Sequence, residues 1–405
     1  MQASLDAEVI IVGGGPVGVT LAGLLGQQGI DCIVIEASRR DPAQPDSSIP
    51  DPRALALTLS SRNILASFNA WKRLPPDRLG CFRHMHVWDE NGKGEIRFDC
   101  DELCESSLGY IVEQPVLQET LFRVLEFIPR VSFCIGDKPR EIIWGSDAIT
   151  VRLNERQLRA KLLVAADGVH SGTREFAGIG YTVHDYQQTA IACVVSTELP
   201  HGETARQRFM REGPLAFLPM ADPHQCGIVW STEPDYADQL LSMDSDQFNR
   251  TLWTAFAGRL GEIQSSGRRV GFPLQRAQAE RYCKDRIVLV GDAAHCVHPL
   301  AGQGVNLGLL DAASLAQVLL EARKKNRDIG IMRGLRRYER WRKGENRLMM
   351  MIFEGFKYLF ENQTVPVPLI RNMGLNIVDR NLAIKHFIMR RAMGLEGDLP
   401  LAARA

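Results

Sequence analysis

The first residues whose types and spacing suit chemistry form a glycine triplet, Gly13-x-Gly15-x-x-Gly18, near the start of the chain. An apolar run precedes it, a helix-like pattern follows it, and a second apolar run ends at Glu36. In such a β-α-β unit the glycines allow a tight turn, a close approach of the backbone to a pyrophosphate, and close packing of helix on strand. Glu36 stands 23 residues after Gly13, close to the offset of about 20 at which a carboxylate accepts hydrogen bonds from an adenosine ribose. The segment therefore predicts a dinucleotide site.

A second segment of this kind lies near residue 290, where an apolar run ends in Asp292. The glycine-rich stretch Pro299–Asn306 follows and predicts the start of a helix, whose free N–H groups suit an anionic group. Asp292 alone could be a helix cap, but the two segments together describe one extended dinucleotide held at both ends. Asp167-Gly168 also follows an apolar run, and we interpret it as part of the same site rather than as a simple turn.

The composition of the 405-residue chain is that of an ordinary globular protein, with 45% hydrophobic and 24% charged residues. Lysine plus arginine equals aspartate plus glutamate at 48 each, which gives no indication of nucleic-acid binding. The nine cysteines form no CxxC pair, as expected for reduced thiols in the cytoplasm. No apolar run approaches the roughly 18 residues that a membrane span needs, and the first strand is predicted too early to leave room for a signal peptide.

Two interleaved domains and a C-terminal extension are expected, because the chain is longer than a single hydrophobic core usually allows. Alternating runs between residues 189 and 232 predict a mostly antiparallel sheet inserted into an α/β, Rossmann-like cofactor domain. We assign the cofactor domain to residues 1–70, 108–177 and 272–335, the substrate domain to residues 71–107 and 178–271, and a C-terminal helical region to residues 336–405.

A β-hairpin is predicted over residues 81–98, with its turn at Asn91-Gly92. His84 and His86 share one face of its first strand, but no third ligand is evident, so we expect no metal site. The C-terminal region carries three consecutive methionines from Met349, together with aromatic and basic residues. Such a stripe is typical of core or dimer packing, and it also suits an apolar substrate or peripheral contact with an anionic membrane.

A family resemblance is carried by three motifs together: Gly13-x-Gly15-x-x-Gly18, Asp167-Gly168 and Gly291-Asp292-Ala293-Ala294-His295. They resemble the set shared by class A flavoprotein aromatic monooxygenases of the p-hydroxybenzoate hydroxylase fold, over nearly the whole chain and in the same order. Within that superfamily the chain is similar to the ubiquinone-biosynthesis hydroxylases. The stretches that carry this closer similarity are Arg53–Leu57, Met85–Asp89, Gly213–Pro219, Pro299–Gly308, Arg337–Arg342 and Ala392–Pro400.

The resemblance implies that the dinucleotide is FAD. The glycine triplet would hold its pyrophosphate, and Glu36 its adenosine ribose. Asp292 is expected at the ribityl chain, and the backbone of residues 302–306 at the flavin's pyrimidine edge, where N–H groups at a helix start stabilise the anionic reduced flavin. The further cofactor contacts expected are Pro16, Val17, Ala37, Arg53, Gln114, Asp167, Pro299, Gly302, Gln303, Gly304, Val305 and Asn306.

His295, Pro299 and Pro219 are expected to border the flavin's reacting face. No side chain stands out as a base for a phenol. His84, His86 and Arg208 are the candidates, and each is more typical of a structural residue. We expect neither a catalytic triad nor paired carboxylates, because in this class the cofactor performs the chemistry while the protein positions the substrate and excludes water.

The implied reaction is hydroxylation of the aromatic ring of a polyprenylated phenol in ubiquinone biosynthesis. FAD, reduced by NAD(P)H or another electron donor, would react with O2 to give a flavin hydroperoxide that transfers oxygen to the ring. The expected partner is the phenol substrate. Other ubiquinone-biosynthesis proteins, a second copy of the chain and the inner face of a membrane, reached from the cytoplasm, stay open, and nucleic acid is not expected.

Three alternative functions also remain open from the sequence. A hydroxylase of a small soluble phenol and a same-fold reductase acting on isoprenoid chains would use the same cofactor residues. In the third alternative the flavin only stabilises a non-catalytic scaffold subunit of a biosynthetic assembly. Oxygen uptake coupled to a hydroxylated product separates a hydroxylase from a reductase, whereas reduced protein that gives no substrate-dependent product favours the scaffold.

Overall fold

The computed structural model of the chain describes residues 4–39, 50–90, 94–297, 303–361, 378–379 and 381–404, without the side chains of residues 353, 356, 357 and 359–361. Of the positions singled out above, Pro299, Gly302 and the hairpin turn at Asn91-Gly92 lie outside the described residues.

Strands and helices alternate at the start of the chain, strands dominate its middle, and helices form its end. The strands are β1 (Val9–Val12), β2 (Cys32–Glu36), β3 (Ala54–Leu57), β4 (Leu79–Phe82), β5 (His84–Asp89), β6 (Glu95–Asp99), β7 (Gly109–Glu113), β8 (Val131–Ile135), β9 (Glu141–Trp144), β10 (Ile149–Arg152), β11 (Gln157–Ala160), β12 (Leu162–Ala165), β13 (Tyr181–Thr197), β14 (Thr204–Met210), β15 (Gly213–Pro219), β16 (Gln225–Thr232), β17 (Ile263–Ser266), β18 (Val270–Ala279), β19 (Cys283–Lys284), β20 (Ile287–Leu289) and β21 (His295–Cys296). The α-helices are α1 (Pro16–Gln27), α2 (Leu59–Ala66), α3 (Gln114–Leu125), α4 (Gly172–Phe176), α5 (Pro234–Ser242), α6 (Ser245–Ala255), α7 (Gln303–Lys324), α8 (Met332–Glu361) and α9 (Leu382–Ala392). Short 3-10 helices occupy Trp71–Arg73, Pro76–Arg78, Cys100–Leu103, Gly291–Ala293 and Leu401–Ala403.

A six-stranded sheet in the order β19-β20-β12-β1-β2-β8 forms the core of the α/β part. The strands from β20 to β8 pair in parallel, and β19 joins β20 antiparallel. β1, β12 and β20 are buried along their whole length, as is typical of parallel strands covered on both faces. β1, α1 and β2 form the predicted β-α-β unit, so the Rossmann-like fold is confirmed.

The parallel strands bring the predicted site residues to one edge of this sheet. Because the strands point the same way, the residues that follow β1, β2, β12 and β20 meet at their carboxyl ends, where such folds bind ligands. The glycine triplet, Glu36, Asp167 and Asp292 all stand at these ends.

A nine-stranded sheet forms the inserted part, in the order β21-β18-β13-β16-β15-β14-β5-β6, with β17 paired to β13. All its pairings are antiparallel except that of β14 with β5. Trp230 and Phe217 of this sheet pack with Phe248 of α6 in a buried cluster. The predicted antiparallel sheet is thus confirmed. Helix α5 was not predicted, because only Ala237 and Leu240 in it are buried, too few for a clear periodic pattern.

The two strands of the hairpin predicted over residues 81–98 are confirmed from His84 onward, whereas its first residues belong to another sheet. β5 and β6 pair antiparallel as expected, but Cys81 and Phe82 belong to β4, which joins β3 and β7 in a separate three-stranded sheet. The chain changes sheets at Arg83, where the backbone N–H groups of Arg83 and His84 both donate to the carbonyl of Glu203, at 2.9 and 3.1 Å. A local pattern cannot reveal this crossing, because both strands alternate.

The domain limits remain a proposal, and the sheets favour two adjustments to it. β4 pairs with β7 rather than with the nine-stranded sheet, and β18 pairs with β13 as far as Ala279. We therefore propose that the substrate part begins near Arg83 rather than at residue 71, and that it includes all of β18, as far as Ala279, rather than ending at residue 271.

Helix α7 links the cofactor edge of the parallel sheet to the opposite edge. It begins at Gln303 and ends at Lys324, so its 22 residues span about 30 Å. Among the described helices it is the one long and apolar enough to cross a membrane, but 67% of its apolar window is buried inside the protein. Asn306 and Asp311 lie buried within it, which fits a core helix of this fold.

Candidate active site

The glycine loop shows which glycines the protein needs for itself and which one it leaves for a ligand. Gly13 has φ +110°, and a Cβ there would lie 2.2 Å from the carbonyl oxygen of Ala166. A Cβ on Gly18 would lie 2.1 Å from the carbonyl oxygen of Gly13. A Cβ on Gly15 would meet no atom within 4 Å. Packing therefore explains Gly13 and Gly18, whereas open space lies at Gly15, as a pyrophosphate close to the backbone requires.

The start of helix α1 faces the same open space. Gly15 is its N-cap and provides no side-chain cap, and Pro16 occupies the first turn, followed by Val17. The first N–H groups of a helix have no partner within the helix, so they and the positive end of the dipole suit a phosphate group. Gln118 of α3, which the sequence did not single out, donates from Nε2 to the carbonyl of Gly14 at 2.9 Å and holds the loop from the other side.

Glu36 stands at the carboxyl end of β2, against the glycine loop. Its Oε2 accepts a hydrogen bond from the backbone N–H of Gly14 at 2.6 Å, and its Oε1 accepts one from Ser38 at 2.8 Å. Ala37 beside it is exposed. The carboxylate is thus fixed at the mouth of the loop, next to the phosphate position, as the ribose prediction needs.

Arg53 and Gln114 are far apart in the sequence but adjacent in space. The backbone N–H of Gln114 donates to the carbonyl of Arg53 at 2.9 Å, at the end of the β3–β7 pairing. The Arg53 side chain is 51% exposed and forms an ion pair with Asp51 at 2.9 Å. Gln114 opens α3 one turn before Gln118, so both amides face the loop side of that helix.

Asp167, at the end of β12, forms hydrogen bonds with the residues that begin the next helix. Its carboxylate accepts hydrogen bonds from the Ser171 hydroxyl and from the backbone N–H of Thr173, the latter at 3.0 Å. Asp167 therefore braces the start of α4. Its backbone N–H group lies beside Gly13, 2.9 Å from the position of a Cβ there. A contact of Asp167 with the cofactor remains a prediction.

Arg174 connects the Asp167 loop to the turn that carries Asp292, a role that the sequence pattern did not predict. Its guanidinium donates to the carbonyls of Val169 at 2.9 Å and Ala293 at 3.1 Å. It also lies 3.6 Å from the centre of the Tyr181 ring. The Tyr181 hydroxyl in turn donates to the carbonyl of Asp292 at 3.0 Å. Arg174 and Tyr181 together hold the 292–293 turn.

Asp292 has a carboxylate that accepts no hydrogen bond from the residues that the structure describes. The side chain is open to solvent, yet it stands deep in a cleft, where surrounding protein and the charge of Asp311 raise its pKa despite the opposing effect of His295. An unsatisfied acceptor beyond a parallel strand, on a turn with Gly291 at φ +58°, fits a ligand hydroxyl group such as those of a ribityl chain.

A buried charged network lies directly behind that turn. Asp311 accepts hydrogen bonds from the backbone N–H of Gly291 at 3.1 Å and from Arg342 Nε at 2.7 Å, and it pairs with His295 Nε2 at 2.5 Å. Asn346 adds bonds to Asp311 at 3.2 Å and to Arg342 at 2.8 Å. Burial acts to raise the pKa of Asp311, but His295 and Arg342 outweigh it and lower that pKa. The network therefore keeps the Asp311 carboxylate charged behind the Gly291 turn.

His295 is buried behind the cleft, and its expected place at the flavin's reacting face remains a prediction. It is 1% exposed, its Nε2 is bonded to Asp311, and its ring stacks with Tyr282 at 5.9 Å. His295 affects the cleft indirectly, because its partner Asp311 also accepts the hydrogen bond from the Gly291 backbone. Pro219 is also buried, at the end of β15, where its carbonyl lies 2.3 Å from the position of a Cβ on Gly80. Pro219 thus marks the junction of two sheets.

The start of α7 supplies the far end of the cleft. Gln303, Gly304 and Val305 are partly exposed, and the nearest atom to a Cβ on Gly304 would be 4.0 Å away. Asn306 is buried: its Nδ2 donates to the carbonyl of Ala56 at 2.8 Å, and its Oδ1 accepts from Thr58 N at 3.0 Å. Asn306 therefore positions the helix, while its open first turn is available to a ligand.

The residues present fit FAD from one end of the cleft to the other. The glycine loop leaves room for a pyrophosphate, Glu36 stands where the adenosine ribose belongs, and Asp292 offers an acceptor without a described partner. A Rossmann-like sheet with such a two-ended cleft, joined to an antiparallel sheet at β21, defines a flavin-dependent oxidoreductase of the FAD-binding class.

Comparisons with known proteins identify the same class of flavin-dependent oxidoreductase and a particular family within it. The profile of the FAD binding domain family matches residues 6–344. The chain is 35% identical to 3-demethoxyubiquinol 3-hydroxylase of Escherichia coli over 391 residues, which cover 96% of this chain and 98% of the relative. It is 34% identical to the ubiquinone hydroxylase UbiL of Rhodospirillum rubrum over 394 residues, which cover 97% of this chain and 91% of the relative. The crystal structure of p-nitrophenol 4-monooxygenase PnpA from Pseudomonas putida shares the fold, with a TM-score of 0.79 at 20% identity over 98% of this chain and 100% of that one.

The chain belongs to the FAD-binding monooxygenase family that includes the ubiquinone hydroxylases. It is an FAD-dependent aromatic-ring monooxygenase, so the predicted family, fold class and cofactor are confirmed. The roles of single site residues remain predictions.

Proposed function

We propose that this chain hydroxylates the aromatic ring of a polyprenylated phenol in ubiquinone biosynthesis, with FAD, O2 and NAD(P)H or another electron donor. The observation that carries the proposal is the 35% identity to 3-demethoxyubiquinol 3-hydroxylase over 96% of this chain and 98% of that one. The likeness to p-nitrophenol 4-monooxygenase supports the fold alone, at 20% identity. It therefore does not favour a small soluble phenol as the substrate.

When bound, FAD supplies the reduction and oxygen-activating chemistry, and the residues of the chain bind and orient it. The N–H groups at the start of α1 hold the pyrophosphate, Glu36 the ribose, and Asp292 the ribityl chain. The first turn of α7 directs N–H groups toward the far end, where they stabilise negative charge. His295 and Asp311 keep the Gly291 turn in place from behind, and the nine-stranded sheet limits water at the junction near Pro219.

A route for the polyprenyl chain is offered by exposed apolar residues at the C-terminal end. Leu382 and Phe387 of α9 are 60% and 58% exposed, and Ile384 lies between them at 43%. Met351 and Tyr358 of α8 are exposed as well. Arg390 and Arg391 follow in the last turn of α9. Apolar side chains beside basic ones suit peripheral contact with an anionic membrane surface, so we propose that the protein works from the cytoplasm at the inner membrane face.

The other partners in this proposal are neighbouring enzymes and a second copy of the chain. Neighbouring enzymes of ubiquinone biosynthesis would supply and remove insoluble intermediates, and a second copy of the chain could share the apolar surface of α8 and α9. Both belong to the proposal because the polyprenylated substrate and product cannot diffuse freely in water.

The experiment is mass spectrometry of quinone intermediates in cells that lack this protein, with complementation by variants. We expect a polyprenylated intermediate that lacks one ring hydroxyl, and its loss when the wild-type chain is restored. Gly15→Leu should fail to restore the pathway, because its side chain would occupy the open space required by the pyrophosphate, in which a Cβ meets no protein atom within 4 Å. Gly344→Leu is the matched control. A Cβ there also meets nothing within 4 Å, but Gly344 lies in α8, away from the glycine loop.

Two results would contradict the proposal. An unchanged quinone profile in the deleted cells would refute a place in ubiquinone biosynthesis. Accumulation of a soluble phenol without a prenyl chain would instead support the small-phenol alternative.

A further inference from the structure

A cavity of about 550 Å³ lies where α7 ends and α8 begins, away from the residues used above. Six of its lining residues are basic: Lys325, Arg327, Arg333, Arg336, Arg337 and Arg340. Only Glu321 and Asp328 in the lining are acidic. The cavity therefore carries an excess of four positive charges in a chain whose formal net charge is zero.

Both carboxylates of the cavity are already engaged. Glu321 pairs with Arg337, and Asp328 pairs with Arg286 at 2.7 Å. Among the residues that the structure describes, the five remaining basic side chains form neither an ion pair nor a side-chain hydrogen bond. All five side chains are solvent-exposed and line one concave surface.

The position of the arginines on α8 is a second, independent observation, because the N-terminal end of a helix is positive. Cations are favourable at the C-terminal end of a helix, which accounts for Arg323 and Lys324 in the last turn of α7. Arg336, Arg337 and Arg340 lie on one face of the second and third turns of α8, and Arg333 precedes them in the first turn, where the dipole is positive and no acidic residue is present. Cations there disfavour the helix, whereas an anion bound among them would be stabilised by both the arginines and the helix start.

The position of the cavity separates it from the active site. Arg286, which binds Asp328, immediately precedes β20, so this part lies at the amino edge of the parallel sheet. The cofactor cleft lies at the carboxyl edge, and α7 spans about 30 Å between them. A molecule in this cavity cannot exchange electrons directly with a bound flavin.

We propose that this cavity binds a phosphate-bearing anion. Arginine guanidinium groups match phosphate oxygens in geometry and charge, and the volume lies within the range of small-molecule sites, about 300 to 1,000 Å³. The phosphate comes from a soluble polyphosphate compound or from the headgroup of an anionic phospholipid, since both present the same oxygens to the arginines.

The test uses the FAD-bound protein, in which the glycine loop is already filled by the cofactor. Inorganic pyrophosphate is titrated calorimetrically, and co-sedimentation is measured with vesicles of phosphatidylcholine alone or with phosphatidylglycerol. The variant is Arg333→Gln/Arg336→Gln/Arg340→Gln. The control is Arg156→Gln/Arg250→Gln/Arg281→Gln, which removes the same charge from exposed arginines scattered elsewhere. The flavin absorption spectrum verifies that each variant is folded.

We expect the wild-type protein and the control to bind one of the two probes, and the cavity variant to bind it at least about tenfold more weakly. Saturable binding of pyrophosphate identifies a soluble ligand, and binding only to vesicles that contain phosphatidylglycerol identifies a lipid headgroup. Equal weakening of both variants, or no binding of either probe to the wild type, would overturn the proposal. These readouts do not involve hydroxylation, so they stand or fall separately from the proposed function.

Discussion

The two ends of the cofactor cleft are built in different ways. The adenosine end uses residues from the first 36 of the chain, namely the glycine triplet, the start of α1 and Glu36, and the Ala166 backbone and the Gln118 side chain pack against its loop. The flavin end uses the Gly291–Ala293 turn, which is held by Arg174 and Tyr181 on one side and by Asp311 with Arg342 on the other. One end is therefore fixed by backbone shape, and the other by buried charge brought together from distant elements.

The two ends of the cleft should therefore respond differently to mutation. Backbone shape at the adenosine end leaves no room for a Cβ at Gly13 or Gly18, so the fold itself fails when one is added. Buried charge at the flavin end is stable only while every partner is present, because an unpaired charge in the interior is costly. Variants at each end of the cleft should distinguish these two modes of stabilisation.

Gly13→Ala should have the largest effect. The new Cβ would overlap the Ala166 carbonyl at 2.2 Å, and φ +110° is strained for any residue with a side chain. We expect little soluble protein, with a free energy of unfolding reduced by several kilocalories per mole. Expression yield and thermal denaturation check this.

Gly15→Ala is the matched control at the same loop. Its φ of −69° and ψ of 171° suit alanine, and its Cβ meets no protein atom. The cofactor-free protein should melt like the wild type while its FAD affinity falls. Equal loss of stability in the two variants would show that the loop is fixed by something other than the contact at Ala166.

Arg342→Met should have the next largest effect, at the flavin end. It leaves Asp311 buried without its guanidinium partner, a change that typically costs about 3 to 5 kcal/mol. His295 still pairs with Asp311, so we expect the lower part of that range in denaturant unfolding. The double variant Asp311→Asn/Arg342→Met removes both charges and should recover part of the loss. A double variant as unstable as the two single losses combined would argue against a coupled pair.

Acid should weaken the same end of the cleft. His295 and Arg342 outweigh the effect of burial and hold the pKa of Asp311 below its ordinary value, at about 2. The stability that it contributes is therefore complete above the unfolded-state pKa of about 4 and is lost as the pH falls toward the folded value. Unfolding free energies measured between these two pH values should decline more steeply for the wild type than for Asp311→Asn. Parallel curves would mean that Asp311 does not carry the charge.

The same contrast explains how much the sequence could predict. The glycine triplet, Glu36 and the β1-α1-β2 unit that carries them follow from one contiguous pattern over residues 9–36. The hydrogen bond from Arg174 to Ala293 crosses 119 residues of chain, and the one from Arg342 to Asp311, behind the turn, crosses 31. Spacing in the sequence does not record such partners. One signal was available: Asp311 is a lone carboxylate in an apolar stretch of α7, which predicts a buried partner. The bond of His295 to Asp311 was not predicted for the same reason, since Asp311 lies on another element.

Asp292→Asn should weaken cofactor binding without harming the fold. The carboxylate has no hydrogen-bond donor among the described residues, and its raised pKa shows that its charge is disfavoured by the surrounding protein. The cofactor-free variant should therefore unfold no more easily than the wild type, while its FAD affinity falls about tenfold through loss of a charged acceptor. Fluorescence titration with FAD measures the affinity. A large loss of stability with unchanged affinity would assign Asp292 to the fold instead.

Tyr181→Phe should have the smallest effect, because it removes one hydrogen bond and keeps the ring under Arg174. The hydroxyl donates to the Asp292 carbonyl at 3.0 Å, a bond with a net value of about 1 kcal/mol. If that bond holds the turn in its binding geometry, FAD affinity falls several-fold while the melting temperature changes little. Tyr236→Phe, in α5 and away from the cleft, controls for removal of a tyrosine hydroxyl. Equal FAD affinities for the two variants would show that the buried network behind Gly291 fixes the turn without help from Tyr181, and the flavin end would then depend on buried charge alone.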